Sequence, residues 1–118
     1  MRHLMAVLML SLLAMPAAAE GLAVVDVTIS ERTVTIADKT VRVREGDNVE
    51  LRWHADEAVE LHLHGYEIAI QVPANGTASM RFTAEATGRF PVSHHGFGAE
   101  MGQVHSHRPI LYLEVHPR

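Results

Sequence analysis

Apolar and polar residues alternate with a period of two along most of the chain. Val, Leu, Ile, Met or Phe at alternate positions are separated by polar residues over residues 33–36, 41–44, 49–54, 59–64, 79–83 and 111–116. This alternation is typical of strands that bury one face in a core and expose the other to water. No long run has the 3.6-residue period of an amphipathic helix.

Turn-forming residues separate these runs. They include residues 45–48 (Glu-Gly-Asp-Asn), residues 73–76 (Pro-Ala-Asn-Gly) and Gly88. Such residues accept the backbone conformations that tight turns require. Residues 56–59 are expected to form a further turn, and residues 96–109, which have no strand pattern, a loop. Short strands at this spacing predict an all-β domain, a β-sandwich or barrel.

The first nineteen residues have the pattern of a secretory signal peptide. A short positive segment with Arg2 precedes an apolar run at residues 4–14, and three alanines at residues 17–19 form a small-residue cleavage site. The apolar run is shorter than the roughly 20 residues that span a bilayer. We therefore expect cleavage before Glu20, one mature domain over residues 20–118, and export to a bacterial periplasm with no membrane contact in the mature form.

Charge and cysteine content narrow the function. The mature residues include nine basic and fourteen acidic side chains, a formal net charge of −5. An acidic balance argues against nucleic acid and anionic lipid as partners. The chain has no cysteine, so it has neither a disulfide nor a thiol nucleophile.

Histidine is the residue type that indicates chemistry. The candidate metal ligands lie in two clusters and are His62, His64, His94, His95, Met101, His105 and His107. Imidazole is a good ligand for copper, zinc, iron and nickel, and a thioether favours copper(I). Without a thiolate, the blue-copper type of centre cannot form. The clusters therefore predict a non-blue metal site.

Strand geometry allows His62 and His64 to bind one ion. Residues i and i+2 of a strand point to the same face, about 6.6 Å apart, and two imidazoles can lean across that separation. Alternation places His94 toward the core, but Pro91 in the same run permits a bulge that shifts the parity. The choice between His94 and His95 therefore stays open. Glu67 lies near enough in sequence to orient a ligating imidazole as a hydrogen-bond acceptor.

Several segments in the same order resemble the cupredoxin family. Residues 41–53 (Val-x-Val-x-Glu-Gly-Asp-x-Val-x-Leu-x-Trp) are similar to its second and third strands. Residues 80–90 (Met-x-Phe-x-Ala-x-x-x-Gly-x-Phe) are similar to the strand and turn before its metal loop. Met101-Gly102 resembles the end of that loop, and residues 111–115 resemble the last strand. The resemblance covers the mature chain and implies a Greek-key β-sandwich.

The histidine motif at residues 62–66 resembles a cysteine-free branch of cupredoxin-like periplasmic proteins. His94 stands where blue-copper proteins have their cysteine, and Phe97 stands in place of their second loop histidine. The resemblance implies His62 or His64 as the upstream ligand, His94 or His95 at the cysteine position and Met101 as the axial ligand. The use of His105 and His107 is inferred from residue type and spacing alone.

These observations favour an exported metal-binding protein over an enzyme. Copper, as Cu(II) and also as Cu(I), is the expected ion, with zinc as the alternative. The expected role is copper sequestration, delivery or tolerance, with another periplasmic metal-handling protein as partner. Two alternatives remain open: a copper or zinc enzyme with an open coordination position, and an accessory protein of periplasmic iron uptake.

Overall fold

The protein is built mainly of β-strands in the residues that its computed structural model describes, 22–97 and 108–118. The strands in these two ranges are β1 (Leu22–Ser30), β2 (Thr33–Val34), β3 (Thr40–Arg44), β4 (Asn48–Ala55), β5 (Val59–Leu63), β6 (Ile68–Val72), β7 (Gly76–Thr83), β8 (Gly88–Phe97) and β9 (Leu111–His116). A single 3-10 turn at Ala37–Lys39 joins β2 to β3, and these ranges contain no α-helix. No helix within them is long and apolar enough to cross a membrane.

The strands form two mixed sheets. One sheet has the order β2-β1-β4-β7 and the other the order β3-β9-β8-β5-β6. β1 pairs with β4, and β3 with β9, in parallel, whereas the remaining neighbours are antiparallel. Because most neighbours within a sheet are distant in sequence, the chain crosses repeatedly between the two layers. The predicted all-β Greek-key sandwich is confirmed.

The core lies between the two sheets. On β4, Leu51 and Trp53 face inward and are fully buried, as are Leu61 and Leu63 on β5. Burial of apolar surface contributes about 25 cal/mol per Å², so this layer is the main source of stability. Because side chains alternate along a strand, the residues between the two leucines of β5 lie on the outer face. That outer face of the five-stranded sheet carries His62.

The structure departs from the alternating runs in three places. The runs do not include β1 or β6, and in β1 the outward Leu22 and Val24 are 66% and 42% exposed, which obscures the alternation. The predicted strand over residues 33–36 is reduced to the two residues of β2. The predicted loop over residues 96–109 is wrong at its start, because β8 continues to Phe97.

Candidate metal centre

His62 and His64 come together on the outer face of the five-stranded sheet. Their ring centroids lie 4.1 Å apart, and the ring planes are tilted by 46°. His62 is in register with Ala69 of β6 on one side and Ser93 of β8 on the other, so small side chains flank it. Its side chain remains 26% exposed. The pair is therefore accessible to a ligand from solvent.

Two hydrogen bonds position His64, one from its side chain and one from its backbone. Its Nε2 lies 2.8 Å from the hydroxyl oxygen of Ser93, and its backbone N–H donates to the carbonyl oxygen of Pro91 at 3.0 Å. When Nε2 donates its hydrogen to the hydroxyl, Nδ1 has the free lone pair. A partner on one ring nitrogen thus orients the other nitrogen for a metal ion.

The imidazole of His62 faces a carboxylate. Its Nε2 lies 3.5 Å from Oε2 of Glu67, whose side chain is 77% exposed. A negative charge at this distance favours a cation at the imidazole nitrogen. The two histidines therefore differ in surroundings: a neutral hydroxyl orients His64, and an anionic side chain lies beside His62.

The turn that follows β5 is anchored to the core by the rest of the motif. Gly65 has a φ of +86°, and a Cβ atom there would lie 2.3 Å from Cδ1 of Phe90. Tyr66 packs on Phe82 and Phe90, with ring centroids 4.9 and 5.0 Å away. Its hydroxyl donates to the carbonyl oxygen of Ala86 at 2.8 Å and accepts the N–H of the same residue at 3.1 Å. These contacts hold the turn, and with it both histidines, in one place.

Replacing Tyr66 by Phe should destabilise the domain by about 1 kcal/mol. The variant keeps the ring packing but loses two hydrogen bonds, which water replaces only in part. Urea unfolding measures the change. Tyr112→Phe is the matched control, because the half-buried Tyr112 ring lies under Arg89 at the outer face of its sheet, and substitutions near the surface usually change stability by about 0.5 kcal/mol or less. Equal losses in the two variants would contradict an anchoring role for the Tyr66 hydroxyl.

His94 lies on the opposite face of the same sheet. It is in register with the buried Leu61, so the alternation that places it toward the core is confirmed. Its ring centroid is 4.9 Å from that of Phe97, and its Nδ1 is buried without a hydrogen-bond partner among the described residues. Burial, followed by the charges of His95 and Arg32, lowers the pKa of His94 below 6.5. This histidine is therefore held neutral and apart from the His62–His64 pair.

His95 shares the outer face with that pair. It is in register with Glu60 of β5, and the register between β5 and β8 shifts after this point, between Val59 and Glu60. The irregularity coincides with Gly96, whose φ is +51°, and does not occur at Pro91. The bulge therefore lies beyond both histidines and leaves them on opposite faces.

The lowered pKa of His94 should make the metal-free protein less stable in acid. The unfolded chain takes up a proton at this residue near pH 6.5, whereas the folded chain takes it up only at lower pH. The contribution of His94 is therefore complete above about pH 6.5 and is lost as the pH falls, by at most about 1.4 kcal/mol per pH unit. Urea unfolding in a chelator between pH 7.5 and 5 measures it.

Two substitutions separate this effect from the general acid response. His94→Gln, which cannot titrate, should flatten the decline in unfolding free energy below pH 6.5. His54→Gln, at an exposed position of β4, should leave it as in the unaltered chain. An unchanged pH dependence in His94→Gln would show that other groups cause the acid sensitivity.

The structure thus unites some candidate ligands and leaves others untested. Met101, His105 and His107 lie outside the described residues, and their participation stays a prediction. Within residues 22–97 and 108–118, no three His, Asp or Glu side chains surround one point as a complete metal site would require. The sequence pattern does not predict the contact of Ser93 with His64. Knowledge that β5 pairs with β8 would have been needed to predict it.

Comparisons with known proteins identify the fold. No protein-family model matches the sequence, and no curated protein matches it. The structure is similar to that of a copper binding protein in the apo form, with a TM-score of 0.61 and 11% identity, over 81% of this chain and 89% of that chain. It is similar to the metal binding domain of the Cu(I) exporting P-type ATPase CopA of Streptococcus pneumoniae D39, with a TM-score of 0.60 and 14% identity, over 84% and 90% of the two chains.

A larger protein contains the same architecture. Copper nitrite reductase from Nitrosomonas europaea matches with a TM-score of 0.62 and 21% identity, over 83% of this chain and 42% of that chain. At these identities the similarity shows the fold. The described chain is a cupredoxin-like β-sandwich with a pair of adjacent histidines on the outer face of one sheet.

Proposed function

We propose that this protein binds Cu(II) through His62 and His64 and serves copper handling outside the cytoplasm. The observation that carries the proposal is the contact of the two imidazoles, with ring centroids 4.1 Å apart on an accessible sheet face. Imidazole nitrogens are suitable ligands for Cu(II), which has the highest affinity of the divalent first-row metals for such sites. Ser93 orients one ring, and Glu67 adds a negative charge beside the other.

Charge supports the outer pair over His94 as the main site. Beside His62 lies the carboxylate of Glu67, which attracts a cation. Near His94 lies the guanidinium of Arg32, which forms an ion pair with Glu57; its charge still contributes to the lowered pKa of His94 and so disfavours a cation there. The side chain of Arg32 also packs on Phe97, with its guanidinium carbon 5.3 Å from the ring centroid, so the positive charge is held at this end of the core.

The solved structures with this fold support copper as the ion. They include proteins described as a copper binding protein, a domain of a Cu(I) exporter with Cu(I), and a copper nitrite reductase. We propose that Met101, His105 and His107 contribute further ligands and make the bound ion exchangeable. Together with the signal-peptide pattern of residues 1–19, this supports a periplasmic role in copper sequestration, delivery or tolerance, with another metal-handling protein as donor or acceptor.

A Cu(II) titration of residues 20–118, followed by electron paramagnetic resonance, tests the proposal. The expected result is one copper per chain with hyperfine coupling from nitrogen ligands and without the intense visible absorption of a copper–thiolate bond. A signal that grows without saturation, or a spectrum with oxygen ligands alone, would contradict a histidine copper site. A parallel titration with Zn(II), read by competition with a chromophoric chelator, ranks the alternative ion.

A further inference from the structure

The turn after β5 places a carboxylate where a metal ion on His62 would find it. Resting on the copper site proposed above, we propose that Glu67 is a third ligand of that site and that it makes the site select Cu(II) over Cu(I). The proposal depends on a distance, on the backbone of the turn and on the chemistry of the resulting ligand set.

The distance fits two ligands of one ion. A metal–nitrogen bond of about 2.0 Å and a metal–oxygen bond of about 2.1 Å span the observed 3.5 Å at an angle of about 115°. Cu(II) prefers square-planar or tetragonal sites, in which neighbouring ligands subtend about 90°, so the carboxylate would move closer to the imidazole when the ion binds. The short distance places the carboxylate beside the ring nitrogen that would bind the ion.

The backbone of the turn holds Glu67 at this position despite its cost. Glu67 has a φ of +52°, a left-handed conformation that is unfavourable for glutamate and that glycine or asparagine adopts more readily. Directly after it, β6 begins at Ile68, which is in register with Leu63 at the end of β5. A strained residue that the surrounding structure enforces is a reason to look for function. Here the enforced residue carries the side chain that contacts His62.

No basic side chain competes for this carboxylate in the part of the chain that the structure describes. The arginines of the outer sheet face pair elsewhere: Arg89 with Glu114, and Arg42 with Glu114 and Asp38. The only ion-pair contact of Glu67 within residues 22–97 and 108–118 is with His62. The three side chains do not surround one point in this structure, so the exposed carboxylate would rotate toward the bound ion to complete a ligand set of two nitrogens and one oxygen.

This ligand set discriminates between the oxidation states of copper. Carboxylate oxygen is a hard donor that suits Cu(II), whereas Cu(I) prefers thioether and thiolate sulfur. The negative charge of Glu67 also interacts twice as strongly with a dication as with a monocation at the same distance. Removal of the charge should therefore reduce the affinity for Cu(II) more than the affinity for Cu(I).

The test compares Glu67→Gln with Glu60→Gln. Glu60 is the matched control, because it lies on the same strand face two residues before His62 and is in register with His95 and Gln71. Dissociation constants for Cu(II) alone and for Cu(I) alone are measured on residues 20–118 by competition with chromophoric chelators. We expect Glu67→Gln to weaken Cu(II) binding by about ten- to a hundredfold and to leave Cu(I) binding within about threefold.

Two further readouts follow from the same samples. Each tenfold loss of Cu(II) affinity relative to Cu(I) affinity raises the one-electron reduction potential of the bound copper by about 59 mV, which voltammetry measures. The electron paramagnetic resonance parameters of bound Cu(II) should change in Glu67→Gln and stay constant in Glu60→Gln, because only the first variant replaces an anionic ligand by a neutral amide.

The outcomes separate this inference from the function on which it rests. Equal losses of Cu(II) affinity in the two variants would show that Glu67 acts only as one of several nearby charges. An unchanged ratio of Cu(II) to Cu(I) affinity in Glu67→Gln would show that Glu67 is not a ligand. Either result overturns the inference and leaves the histidine pair in place, provided that the unaltered chain binds Cu(II). If the unaltered chain binds no copper stoichiometrically, both proposals fail.

Discussion

Replacing His62 and His64 together by alanine is expected to weaken Cu(II) binding by at least about a hundredfold. Loss of a single residue outside the ligand shell already costs about 10–100-fold at many metal sites, and this variant removes both imidazoles of the proposed pair. Competition with a chelator of known affinity, combined with the nitrogen hyperfine pattern, measures the loss. The fold should persist, because His62 lies on the outer face and the core residues of β5 are unchanged.

The control for this variant is the alanine substitution of two exposed histidines elsewhere. His54 lies on the outer face of the other sheet, and His116 lies at the end of β9, where it contacts Glu114. The double variant His54→Ala/His116→Ala should bind Cu(II) as the unaltered chain does. If instead both double variants lose affinity equally, copper binds to surface histidines in general and the outer pair is no defined site.

Replacing Gly65 by alanine is expected to cost about 2–5 kcal/mol of unfolding free energy. The new Cβ would lie 2.3 Å from Cδ1 and 2.7 Å from Cε1 of Phe90, and the residue would keep a φ of +86°. Overpacking typically costs about 1–3 kcal/mol, and a left-handed residue with a side chain adds about 1–2 kcal/mol. Urea unfolding gives the sum.

Gly46→Ala isolates the backbone part of that cost. Gly46 has nearly the same φ, +89°, but the atom nearest to an added Cβ is the Nε of Arg118 at 3.8 Å. This variant should lose only the left-handed contribution of about 1–2 kcal/mol. If the two variants are equally stable, Phe90 yields to the added methyl group, and the close packing at Gly65 is not what fixes the histidine turn.

Much of the sandwich could be predicted because half-buried strands leave a clear pattern. β5 and β9 alternate strictly, β4 alternates except at the buried Glu50, and each lies where its run predicts. β1 has exposed apolar residues on its outer face, so local polarity does not reveal its pairing. Its parallel partner is β4, which is distant in sequence. This pairing depends on the packing of the whole sheet, and no short segment determines it.

The candidate site was predictable in composition and less so in geometry. The period of two indicates that His62 and His64 share a face, and it gives the inward orientation of His94. The approach of Glu67 to His62 depends on positive φ values at Gly65 and Glu67. Glycine signals such a value, but glutamate does not. Only the closed turn brings this carboxylate beside the imidazole.

The tyrosine anchor gives the protein a built-in spectroscopic reporter. The amide of Ala86 donates to the hydroxyl of Tyr66, and the neighbouring Ala84 exchanges two backbone hydrogen bonds with Gly46 and Asp47. An ion that stiffens the histidine turn should therefore slow hydrogen–deuterium exchange at the Ala86 amide. Nuclear magnetic resonance can follow this amide while zinc is added. Its chemical shift would then report whether the metal site is occupied, although Ala86 itself binds no metal.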